Sequence, residues 1–134
     1  MVQGRRAFSL MMVCVLSFVV GCSRPEEVAM LDKLVARVTE RQSYTEKKKK
    51  QFTERLQSYY FEKVPAEEIE RLMKEQTAGV ALAAVAFAVV AKVSPVEVAA
   101  MKQKGKQWDA VAKVVNANLG DVVQEVKEFR KAIG

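Results

Sequence analysis

The sequence predicts an all-α protein, a small helical bundle of five or six helices with a long N-terminal amphipathic helix. Apolar residues recur at three- and four-residue steps through most of the chain, the spacing that lines one face of a helix. Helix formers dominate, and six Gly and three Pro in 134 residues are too few for a turn-rich β protein. Most of these breakers fall between the periodic segments, where helices start and stop. Hydrophobic residues make up 50% of the chain and charged residues 28%, a composition that folds, and the length fits one domain.

From Glu26 to Glu62 neither Pro nor Gly occurs. Val28, Leu31, Leu34, Val35 and Val38 share one face. The same register runs on through Gln42, Thr45, Lys49, Phe52, Leu56 and Tyr59, giving a heptad-like seam with a polar middle. Ser43-x-x-Glu46 has capping-box spacing, so this stretch is one long helix or two collinear ones. Pro65 opens the next helix, with Glu67, Glu68 and Glu70 suited to its N-terminal dipole. Residues 76–91 hold no charge and read as a central core helix, with a segment that dips into a bilayer as the alternative. Ser94-Pro95-Val96-Glu97 is a start signal, with Ser as the N-cap and Pro at the first helical position. Gly105 ends that helix. Gln107 to Ala117 forms another, with Trp108, Val111, Ala112 and Val115 on one face. After Asn118 and Gly120, Asp121 caps the last helix, whose Val122, Val126, Phe129 and Ile133 form a stripe. A weak internal echo at an offset of 29 pairs Lys63-Val64 with Lys92-Val93 and Leu72 with Met101, well short of a repeat array.

Residues 1–21 read as an address. Arg5 and Arg6 give a positive start, and Ala7 to Val20 are uncharged and mostly apolar. That run is too short to cross a hydrocarbon core about 30 Å thick at about 1.5 Å per residue, but it suits a secretory signal. Gly21 and Cys22 follow. Val19-Val20-Gly21-Cys22 resembles the lipobox of bacterial lipoproteins, in which an apolar residue, a small or β-branched residue, Gly or Ala, and Cys are read in series. The resemblance covers the first 22 residues only. It implies cleavage between Gly21 and Cys22, a diacylglycerol thioether on Cys22, and acylation of the new amino group, for instance by palmitate. Residues 22–25 would then be a lipidated tether and 26–134 a single helical domain. Ser23, in place of Asp, implies sorting to the outer membrane, facing the periplasm, rather than retention at the inner membrane. Cleavage removes Cys14 along with two arginines, lowering the formal net charge from +6 to +4. No disulfide can then form within the mature chain, so its stability must come from apolar burial.

Catalytic patterns are missing from the sequence. The lack of histidine removes His triads, His metal sites and His proton shuttles. There is no G-x-S-x-G, no Ser with Lys three positions later, and no Gly-rich phosphate loop. The expectation is a non-enzyme without cofactor or metal. Lys47, Lys48, Lys49 and Lys50 form a patch for anionic lipid headgroups or acidic envelope polymers, against the plainer reading of a solvated helix face. Tyr59, Tyr60 and Trp108 are candidates for packing or an interface. Residues 94–118, with Lys102, Lys104, Lys106 and Lys113, resemble the compact helix-turn-helix units of small bacterial proteins. Residues 107–117 nevertheless offer little to reach base edges, and an exported protein meets no genome, so no nucleic-acid partner is expected. The chain thus reads as a lipid-anchored cell-envelope lipoprotein, a structural or protein-interaction module. Its seam would pair with another copy or with an envelope protein. The alternative is a membrane-active or lipid-binding protein that uses residues 76–91 and Lys47–Lys50.

Overall fold

The computed structural model describes residues 25–42 and 45–133. Residues 1–24, with Gly21 and Cys22, lie outside them, as does Ser43. Among the described residues seven helices follow one another without a strand: α1 (Pro25–Gln42), α2 (Glu46–Tyr59), α3 (Ala66–Glu75), α4 (Ala78–Ala91), α5 (Pro95–Gln103), α6 (Trp108–Val115) and α7 (Leu119–Ile133). The protein is therefore an all-α helical bundle, with seven helices among the described residues rather than five or six. The N-terminal stretch divides, and Gln76 and Thr77, both extended, separate amphipathic α3 from apolar α4.

The break before α2 is a change of direction. Thr45 is extended and its Oγ1 accepts the Lys48 backbone N–H at 3.1 Å, so Thr45 is the N-cap of α2. Val38 and Arg41 of α1 line one cavity with Phe52 and Arg55 of α2. Collinear helices would hold Val38 and Phe52 about 21 Å apart, so the chain folds back and the continuous seam does not form. Leu31, Leu34, Val38, Phe52 and Leu56 are buried in the core of their own chain. Tyr60, not Tyr59, completes the buried stripe of α2; Tyr59 remains 43% exposed.

α4 is apolar on every side and accordingly sits at the centre, with Ala78 through Ala88 buried apart from Val80 at its first turn. Its small side chains let α1 come close. A methyl group on Gly79 would run into the Val35 carbonyl oxygen, and Thr39 Oγ1 accepts the Gly79 N–H at 3.0 Å. Thr39 of α1 thus caps α4, whose own Thr77 makes no side-chain cap bond. Insertion of α4 into a bilayer would require the bundle to open, and no helix among the described residues is long and apolar enough to cross a membrane.

The later helix ends follow local chemistry. Gly105, at φ 95°, closes α5: its N–H reaches the Lys102 carbonyl at 3.0 Å and the Lys106 N–H reaches the Met101 carbonyl at 3.2 Å. Asn116, at φ 58°, does the same for α6, with the Ala117 N–H on the Ala112 carbonyl at 2.8 Å. Two caps differ from expectation. Asn118 Oδ1 accepts the Gly120 N–H at 2.8 Å, so Asn118 starts α7 and Asp121 lies within its first turn. Ser94 holds the N-cap position of α5, but its hydroxyl donates to Glu68 Oε1 at 3.4 Å and ties α5 to α3.

Candidate functional site: a basic groove

Three helix ends converge beside the core. Arg37 and Arg41, four residues apart, share a face of α1; Lys48 and Arg55, seven apart, share a face of α2; Arg130 and Lys131 lie in the last turn of α7. α2 lies folded back against α1, so that Val38 and Arg41 line one cavity with Phe52 and Arg55. The edge-to-face pair of Phe52 and Phe129, with ring centroids 5.8 Å apart, holds α7 against α2. Two adjoining cavities of about 490 and 340 Å³ result, and both are lined by Arg41 and Arg130. Val38 and Phe52 form an apolar floor. Six basic side chains form the walls, and Glu40 is the one carboxylate among the lining residues.

The charge here exceeds what helix ends explain. Basic residues suit the C-termini of α1 and α7, each worth about half a negative charge. With Glu40 also counted and Lys48 left aside, roughly three positive charges remain. The residue type is segregated as well. Residues 25–133 contain five arginines, and four of them, Arg37, Arg41, Arg55 and Arg130, line this groove. The fifth, Arg71, pairs with Glu75 at 3.0 Å on α3. None of the four has a carboxylate within 4.0 Å among the described residues. Arginine presents a planar fork that matches phosphate and carboxylate oxygens two at a time.

The lysine run is split by the helix. Lys48 joins the arginines, while Lys47, Lys49 and Lys50 line a separate recess between α2 and α3, where Glu54 and Glu70 also point. Four lysines in the first turns of α2 oppose its dipole, a local rule broken where the groove opens.

The aromatic candidates serve the core. The Tyr60 hydroxyl donates to Glu125 Oε2 at 2.8 Å. Burial and that carboxylate push its pKa well above the ordinary tyrosine range. Trp108 is fully buried, stacks on Phe87 with centroids 5.7 Å apart, and carries Lys102 Nζ at 4.7 Å over its ring. Its Nε1–H has no hydrogen-bond partner among the described residues. Among the described residues no three potential metal ligands from His, Cys, Asp and Glu come together. Cys22 and Gly21 lie outside the described residues.

Of the charged candidates from the sequence, the structure brings Lys48 alone into the groove; Arg37, Arg41, Arg55, Arg130 and Lys131 were missed. Same-face pairs such as Arg37 and Arg41 were visible, but the approach of α7 to α1 is long-range and leaves no local signature. No known protein family, curated protein or solved structure matches this chain.

Proposed function

We propose that this chain is a lipid-anchored bacterial cell-envelope protein, cleaved before Cys22 and facing the periplasm from the outer membrane, where it serves as a non-enzymatic structural or protein-interaction module. The observation that supports this most is the sequence of residues 1–22, which places the lipidated cysteine three residues before α1 begins at Pro25. A tether of that length reaches about 10 Å, so the folded body sits close to the surface. Two or three acyl chains give stable attachment, at about 0.8 kcal/mol for each buried methylene. Partners would meet the bundle's outer surface, since the apolar seam is occupied internally.

The deciding measurement is the intact mass of the native protein from a membrane fraction, beside a Cys22→Ala variant. A chain beginning at Cys22 with added acyl mass, lost in the variant, is expected. A full-length unmodified chain in the soluble fraction would overturn the proposal.

A further inference from the structure

We infer that the groove between α1, α2 and α7 is a binding site for a multiply charged phosphate ester, held by the guanidinium groups of Arg37, Arg41, Arg55 and Arg130. The site holds whether or not Cys22 is acylated, so it stands or falls apart from the anchoring proposal.

Three independent features point to it. The arginines are gathered here and have no carboxylate partner among the described residues, although exposed carboxylates elsewhere on the surface, such as Glu70 and Glu75, do find partners. Such a cluster repels itself unless an anion sits among its members. The site is also concave, with a half-buried Arg130 shared by both cavities, so an individual group can enter between the forks rather than rest on a flat face. Finally, the remaining charge of roughly three exceeds what one carboxylate neutralises. Phosphate groups carry about 1.5 to 2 negative charges each and offer three acceptor oxygens. The apolar floor of Val38 and Phe52 gives room for the carbon skeleton that carries the phosphates. Such a ligand is either a phospholipid headgroup or a soluble phosphate ester. Arg41 lies about 24 Å along α1 from Pro25, so an upright bundle presents the groove to soluble ligands and a recumbent one presents it to headgroups.

The test is titration calorimetry of the full protein, in neutral-detergent micelles, with pyrophosphate as the probe. Wild type is expected to bind saturably at physiological salt. An Arg41→Gln/Arg130→Gln variant should lose at least about tenfold in affinity, as expected when charge-assisted bonds are removed. A Lys106→Gln/Lys113→Gln variant, with the same change in charge on exposed positions elsewhere, should match wild type. Arg41→Lys/Arg130→Lys keeps the charge and the stems, so a weakened affinity with an unchanged circular dichroism melt separates fork recognition from misfolding. Citrate, a polycarboxylate, should bind at least about tenfold more weakly than pyrophosphate. Equal losses in the Gln pair and the distant Lys pair, or equal affinity for citrate, would overturn the inference. So would the absence of saturable binding. Micelles doped with phosphatidylglycerol distinguish the sources. If doping suppresses pyrophosphate binding to wild type, headgroups occupy the groove; if it does not, the ligand is soluble.

Discussion

α1 serves two regions that differ in nearly every physical respect. Val35 and Thr39 face α4, where backbone meets backbone and the described core holds no buried charged or polar residue. Arg37 and Arg41, on another side of the same turns, open into a groove whose arginines have no carboxylate partner among the described residues. The first region stabilises the fold through close contact and loses heavily from any change in volume. The second contributes little to stability and costs some through self-repulsion. Residues two positions apart on one helix are thus expected to respond in opposite directions to substitution.

The core side of this contrast is expected to break first at Phe129. Its ring lies edge-on to Phe52 and Tyr59 and is fully buried. Phe129→Ala should cost about 4 kcal/mol, measured by urea unfolding. A cost under about 1 kcal/mol would mean that α7 is not held to α2 by this cluster.

Gly79→Ala follows, at about 3 kcal/mol, because the added methyl meets the Val35 backbone carbonyl of α1, which cannot rotate away, as well as Thr39 Oγ1. Thr39→Val, which keeps the shape and removes the hydroxyl, should cost about 1 kcal/mol and leave the Gly79 N–H without its cap. An additive double variant would show that the two act independently, whereas coupling is expected from their direct contact.

Much of the core was legible in the sequence because its signals are local. The uncharged stretch 76–91 marked α4, and Gly105 marked the end of α5. The folding of α2 back against α1 was not legible. A polar middle fits a solvated long helix as well as a reversal, and only the burial of Phe52 against α7 decides between them. The groove depends on that reversal, so a patch built from Lys47–Lys50 was visible while the arginines that form the site were scattered across three segments. The elements around the weak echo do start in step, α3 and α5 at an offset of 29 residues, yet α4 is buried over most of its length and α6 is only half buried.

Tyr60 offers a pH readout from the core side. The folded state disfavours its ionised form, through burial and the Glu125 carboxylate, while the unfolded chain ionises near the ordinary value of about 10. Its contribution is complete below that pH, and stability falls as pH rises above it. Tyr60→Phe should lose about 1 kcal/mol at pH 7, for the hydrogen bond to Glu125, and should show a shallower alkaline decline. Equal alkaline slopes in the two proteins would place the decline in another group.

The smallest effect is expected on the groove side, and its sign carries the meaning. Arg41→Gln/Arg130→Gln removes two of the arginines that have no carboxylate partner among the described residues. If the groove were a structural device, the loss would destabilise the bundle. If its charges serve a ligand, the fold is relieved of repulsion, and at low ionic strength the variant should be more stable by a few tenths of a kcal/mol. At 1 M salt the Debye length falls to about 3 Å and the difference should vanish. Addition of pyrophosphate should then reverse the order, raising the melting temperature of wild type and leaving the variant unmoved, since a ligand stabilises only the folded state that binds it. A groove that weakens the empty protein and strengthens the occupied one is there for its occupant, whereas a variant that melts lower in every condition would return these arginines to the scaffold.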